Sequence, residues 1–146
     1  MKKISLCILA CFAIFGLQAA ELVWTTDLPK AQAQAKAENK MLLVDFTGSD
    51  WCPPCMALKK TVFSSAEFAA FAKTNLILVE VDFPRHKKLS PALQKANEGL
   101  AEKFKAEAFP TILVFDSKGK QLLHDSGYDG SSGKAFVAKL QRLTSK

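Results

Sequence analysis

Two adjacent prolines, Pro53 and Pro54, stand between Cys52 and Cys55 and fix where a helix can begin. Proline has no backbone N–H and a locked φ, so it breaks a helix interior. It fits the first turn, where the N–H groups have no intrahelical acceptor. Met41-Leu42-Leu43-Val44-Asp45-Phe46 upstream is nearly continuous apolar sequence, as in a strand covered on both faces. Thr47-Gly48-Ser49-Asp50 has loop composition. The segment reads strand, loop, helix, with Cys52 at the helix start and Cys55 about one turn on. Two thiols at that spacing can close a small disulfide and reopen it.

The chain has four cysteines, and the other two, Cys7 and Cys11, fall near its start. Met1-Lys2-Lys3 is basic, Ile4 to Leu17 is apolar apart from Ser5, and Ala19-Ala20 offers small residues before Glu21. That layout predicts a secretory signal peptide over residues 1–20, cleaved after Ala19 or Ala20. A membrane anchor needs about 20 apolar residues, and this run is shorter. Ile8-Leu9-Ala10-Cys11 resembles a lipoprotein lipobox with anchoring at Cys11, although the apolar run before it is very short for one. Cleavage leaves residues 21–146 with one pair of cysteines, and a framework of structural disulfides needs partners spread along the chain.

The remainder, about 126 residues, suits one domain with its own core and not two. Apolar residues make up 49% of the chain and eleven are Phe, which argues against disorder. The formal charge is +6, or +4 without Lys2 and Lys3. No basic-aromatic stripe accompanies it, so the excess reads as a source of solubility and not as a nucleic-acid surface.

Asp27 can cap a helix from about 29 to 39. Ser64-Ser65-Ala66-Glu67 contains a capping box that restarts a helix before Phe68 and Phe71. Residues 76–81 read as a second buried strand, 83–89 as a polar, basic loop, and Ser90-Pro91 as the start of a helix with Leu93, Ala96, Leu100, Ala101 and Phe104 at helical spacing. Ile112-Leu113-Val114-Phe115 is a third strand. Asp116-Ser117-Lys118-Gly119 is a turn and Gln121 to His124 a fourth strand, so the two form a hairpin. Phe136, Val137, Leu140 and Leu143 line one face of a closing helix. Alternating strands and helices that end in a hairpin and a helix predict an α/β domain with a mixed sheet and helices on both faces.

A strand, a Trp-Cys-x-x-Cys loop, a helix and a later x-Pro-Thr before a strand together resemble thioredoxin. Two blocks carry the likeness: Val44 through Cys55, and Asn97-Glu98-Gly99-Leu100 through Phe109-Pro110-Thr111-Ile112-Leu113-Val114-Phe115. Gly127 falls where the family has a glycine after its last strand. The phrase Phe46-Thr47-Gly48-Ser49-Asp50-Trp51-Cys52 is more like the exported thioredoxin-like proteins, similar to the C-terminal domain of DsbD and to DsbH-type periplasmic oxidoreductases. The likeness implies the thioredoxin fold, with a central mixed sheet of four to five strands. It also implies thiol-disulfide exchange without a cofactor. The departures are one extra residue between Asp45 and Cys52, Pro53 in place of the usual Gly, a longer stretch from 83 to 95, and Phe109 in place of a β-branched residue.

The attacking species in such exchange is a thiolate, which a helix N-terminus stabilises, so Cys52 is assigned as the nucleophile and a more buried Cys55 as the resolving thiol. Pro53 and Pro54 offer Cys52 no N–H, no histidine separates the cysteines, and Asp50 and Asp45 are nearby acids that would raise the thiol pKa. These features predict a protein that leans toward reduction. The resemblance further implies that Asp45 relays the proton of the second cysteine, and that Phe109-Pro110 is a cis-proline site displaying the polar groups of Phe109 to an extended substrate. Trp51, Pro53 and Pro54 would complete the groove.

The function this reading favours is a protein-disulfide reductase or isomerase, monomeric and periplasmic. Its partners would be disulfide-containing exported proteins and a DsbD-like membrane electron donor. A dithiol oxidase and a thiol reductase dedicated to cytochrome c maturation are the alternatives. A metal-binding CxxC lacks further ligands, since no second CxxC or nearby CxxH exists and His86 and His124 are far apart in sequence. Met56 after Cys55 excludes haem attachment through CxxCH. Arg85-His86-Lys87-Lys88 reads as a solvated insertion, with guidance of an acidic partner as the alternative.

Overall fold

The sheet is built around β2 (Met41–Thr47), which is buried along its whole length. In this computed structural model residues 22–144 are described, so the predicted leader, its cleavage site, Cys7 and Cys11 lie outside the described residues. β2 pairs in parallel with β3 (Leu76–Asp82) on one side and antiparallel with β4 (Thr111–Phe115) on the other. β1 (Trp24–Thr25) adds to β3 in parallel, and β5 (Gln121–Ser126) closes the hairpin with β4. The order is β1-β3-β2-β4-β5. A strand with neighbours on both edges and helices on both faces meets no water, which explains the uninterrupted apolar run that encodes β2.

Successive β2 side chains alternate between two cores. Leu43 packs with Leu58, Val62, Phe68, Phe136 and Leu140 from α2 (Pro53–Leu58), the turn after it, α3 (Ala66–Asn75) and α5 (Gly133–Thr144). Leu42, Val44 and Phe46 face α1 (Leu28–Glu38) and α4 (Pro91–Phe104), where Leu28, Ala31, Leu100 and Phe104 pack. Phe46 and Phe68 are fully buried, and each contributes roughly 2 kcal/mol in transfer alone. By this alternation Asp45 and, on β3, Glu80 fall on the α2 face.

The helix ends follow local chemistry. The Asp27 side chain accepts from the Lys30 N–H, and Asn39 ends α1 in the left-handed conformation. Ser90 caps α4 by accepting from the Leu93 N–H. The predicted capping box does not form. Ser65, not Ser64, is the cap of α3 and accepts from Phe68, so Phe68 occupies the position from which Glu67 would have reached back. Ser64 instead donates to the Lys59 carbonyl. That carbonyl also accepts the Ser64 N–H at 2.9 Å, which closes a π-helical turn over Lys59–Phe63. The wide turn lets α2 run into its continuation while Val62 and Phe63 stay buried. β1 was not read from the sequence, because two residues are too few to display a pattern.

Candidate active site

Cys52 and Cys55 form a disulfide, with S–S 2.06 Å and Cα atoms 5.3 Å apart. Cys52 is the cap of α2. Its backbone is extended, and its sulfur accepts from the Cys55 N–H at 3.4 Å. Pro53 and Pro54 occupy the first two helical positions, so the Cys55 amide is the first donor the helix can offer that sulfur. Cys55 does not lie deeper than Cys52, as the sequence suggested: exposures are 4% and 3%. The bond draws Cys52 against the helix end, so the two differ in position along the helix but not in depth. Pro53 and Pro54 are exposed beside them.

A tight turn delivers Trp51 and Cys52, whose N–H groups both donate to the Gly48 carbonyl. A Cβ on Gly48 would come within 2.6 Å of the Trp51 ring, so the turn needs glycine. Trp51 is half-buried and donates through Nε1 to the Phe83 carbonyl at 2.6 Å. Its ring meets Phe109 edge-on at 6.1 Å, and Phe109 stacks on Phe83 at 5.0 Å. Ser49 donates through its N–H and its hydroxyl to the Asp82 carboxylate. Buried Asn97 on α4 holds the Asp82 carbonyl.

Asp50 has a structural role the sequence did not suggest. Its carboxylate accepts the backbone N–H groups of Arg85, His86 and Lys87 at 2.9, 2.8 and 3.1 Å. These donors, Arg85 first, hold its pKa below the ordinary carboxylate value. The carboxylate is thus kept ionised and turned toward the loop amides. The basic loop likewise is no free insertion, because its backbone is fastened to the active-site turn.

The Phe109–Pro110 peptide is cis. Pro110 is fully buried, and its carbonyl accepts the Gly127 N–H at 2.7 Å. Gly127 has φ +85°, a conformation that favours glycine. Thr111 donates to the Ala108 carbonyl and pairs with the Ser126 hydroxyl, which ties this turn to β5. Phe109 is half-buried with its ring against Trp51, so these two residues predicted for the groove meet.

Asp45 lines a small cavity of about 30 Å³ with Cys55, Lys59, Glu80, Thr47 and Ser49. It is buried, and its Oδ1 has no hydrogen-bond partner among the described residues. Desolvation is the chief cause that pushes its pKa up to about 8. The Glu80 and Asp82 charges add to the rise, and Lys59 opposes it. Glu80 is the register partner of Asp45 across β2 and β3, and it pairs with Lys59 at 3.9 Å. Sequence reasoning missed Glu80 and Lys59. The available signal was a lone acid in the apolar run Leu76-Ile77-Leu78-Val79-Glu80-Val81. Among the described residues, no group of three or more His, Cys, Asp or Glu is placed to hold a metal.

A thioredoxin-like domain model matches residues 28–144. The disulfide bond reductase DsbH of Chlamydia pneumoniae is 34% identical over 125 residues, which cover 86% of this chain and 74% of that one. A solved structure of a DsbH oxidoreductase superposes with a TM-score of 0.78 at 32% identity, covering 88% of this chain and 92% of that one. The thiol:disulfide interchange protein DsbD of Pseudoalteromonas atlantica is 29% identical over 117 residues, covering 80% of this chain and only 18% of DsbD.

Proposed function

The chain belongs to the thioredoxin-like family, and on that premise we propose that it is an exported thiol-disulfide oxidoreductase that reduces protein disulfides through a mixed disulfide at Cys52. The observation that carries this reading is the closed Cys52–Cys55 pair at the start of α2, with buried Asp45 sharing a cavity with Cys55.

In the dithiol form the Cys52 thiolate attacks one sulfur of a partner disulfide. One S–S bond breaks, another forms between Cys52 and the partner, and one partner thiolate leaves. Cys55 then gives up its proton, for which Asp45 is the buried acceptor, and its thiolate attacks the Cys52 sulfur. The second partner thiolate leaves, two electrons have passed to the partner, and the Cys52–Cys55 bond is restored. In this reading Trp51, Pro53, Pro54, Phe109 and Pro110 form the groove in which a partner segment lies.

Two features support the reducing direction. The paired prolines withhold N–H donors from the Cys52 thiolate, so the reduced form gains less than in a strong oxidant. A 34% identical relative is itself named a disulfide bond reductase. The similarity to DsbD supports a DsbD-like membrane protein as the electron donor. The basic, apolar, small-residue leader supports export to the periplasm. No helix among the described residues is long and apolar enough to cross a membrane.

The test is trapping. Cys55→Ala should accumulate a mixed disulfide through Cys52 with exported proteins, and Cys52→Ala should abolish insulin reduction, a loss of roughly a thousandfold or more. An unmodified Cys55→Ala variant that carries no partner, or insulin reduction by Cys52→Ala at the wild-type rate, would remove the mechanism.

A further inference from the structure

The loop between β3 and α4 presents Arg85, His86, Lys87 and Lys88 as four consecutive exposed residues. The bonds that fix it use its backbone: three N–H groups go to Asp50, and the Phe83 carbonyl accepts from Trp51. The clamp therefore leaves the four side chains available. The Arg85 guanidinium lies over the Trp51 ring at 3.8 Å, and Trp51 immediately precedes Cys52. A guanidinium carries five N–H donors in a fixed fork suited to a carboxylate. Among the described residues the Arg85 guanidinium has no hydrogen-bond or ion-pair partner. Lys87 Nζ reaches only the Ser49 hydroxyl, at 3.5 Å, on the same active-site turn.

The acids nearby are already engaged. Asp50 is taken by the loop amides and Asp82 by Ser49. Glu98, across a pocket from Lys87 and Lys88, accepts from Gln94. Among the described residues no ion pair joins Arg85, Lys87 or Lys88 to these acids, and the loop backbone that carries the three cations is held in place.

We propose that Arg85, with Lys87 and Lys88 beside it, docks an acidic polypeptide segment that flanks the disulfide of the partner. The inference rests on the reductase reading and deepens it by naming the chemistry of the partner. The Arg85 fork would take one carboxylate next to Trp51 while Cys52 meets the disulfide, and the two lysines would add attraction over a Debye length of about 10 Å at 0.1 M salt. A peptide is favoured over an anionic lipid surface because the Arg85 guanidinium lies over Trp51, the residue next to Cys52, where a disulfide must enter.

The experiment uses the reduced mature protein and three synthetic peptides with the same disulfide core. Their flanks carry four Glu, four Gln or four Lys. Second-order reduction rates are measured at about 20 mM and about 500 mM salt. The acidic peptide should react about tenfold faster than the neutral one at low salt and within about twofold of it at high salt. Arg85→Gln should cut that ratio to about threefold or less, and Lys87→Gln with Lys88→Gln, which leaves the Trp51 contact in place, should also lower it. Equal rates for all three peptides at low salt would overturn the surface and leave the reductase reading intact. So would an acidic preference unchanged in all these variants. Equal peptide rates together with salt-sensitive retention on phosphatidylglycerol vesicles would assign the loop to a membrane instead. Failure to reduce even the neutral peptide would overturn the reductase reading and this surface with it.

Discussion

Asp45 and Glu80 are register partners on adjacent parallel strands, and both line the cavity that holds Cys55. The pairing sets two carboxyl groups side by side on the α2 face, where, among the described residues, Lys59 offers them a positive charge. Burial is what chiefly penalises the charged form of Asp45, the Glu80 charge adds to it, and the pKa of Asp45 is pushed up to about 8.

This geometry has a consequence for stability. The unfolded chain releases the Asp45 proton near the ordinary carboxylate value, about 4, whereas the folded chain holds it up to about 8. The folded state therefore binds more protons within that window. The contribution of Asp45 becomes steadily more unfavourable as pH rises through it and levels off above about 8. Asp45→Asn should stabilise the oxidised protein by roughly 5 kcal/mol at pH 8 and by little at pH 4. Urea unfolding at the two pH values measures this, and equal effects at both would contradict a protonated Asp45. In the reduced protein the same substitution should remove an inflection near pH 8 from the rate of mixed-disulfide resolution.

Glu80 and Lys59 should act on Asp45 with opposite signs. Glu80→Gln removes a neighbouring negative charge and should lower the Asp45 pKa, while Lys59→Gln removes the opposing positive charge and should raise it. Carboxyl NMR titration of the two variants reads both shifts. Movement in the same direction would show that the cavity has rearranged.

The position of these residues also marks how far the sequence could be read. Asp45 stood out because a familiar pattern framed it. Glu80 was hidden in a strand whose remaining residues are apolar, and Lys59 lies on a helical turn whose packing direction periodicity alone does not give. The main strands and helices were legible, since continuous apolar runs, capping residues and helical spacing are local signals. The clamp of Asp50 on the loop amides was not, because it joins backbone groups more than thirty residues away to an exposed side chain. The choice of Ser65 over Ser64 as a cap was equally invisible, since it depends on where the preceding π-helical turn ends.

The reduction potential should fall near that of thioredoxin, about −270 mV, and well below the strong oxidants near −120 mV. The physical ground is the missing amide donors at Pro53 and Pro54. Equilibration of the purified protein against dithiothreitol or glutathione mixtures gives the value. A result in the oxidant range would show that another source, such as the cationic loop, stabilises the thiolate.

Gly48→Ala should damage the site without touching a sulfur. The added methyl would sit 2.6 Å from the Trp51 ring, which is held by its bond to the Phe83 carbonyl and its contact with Phe109. Displacing the indole should cost about 1–3 kcal/mol and expose it, which a lower melting temperature and red-shifted tryptophan emission would report. Unchanged emission would mean that the turn yields instead of the ring.

The hydrogen bond from Trp51 to the Phe83 carbonyl bears on any attempt to move this chemistry elsewhere. Grafting Trp51 to Cys55 onto a foreign scaffold would import two thiols and a helix start. It would leave behind the carbonyl that orients the indole and the Phe109 ring that borders it. A host lacking an equivalent of the 82–87 segment would accept the motif as a disulfide but not as a recognition surface.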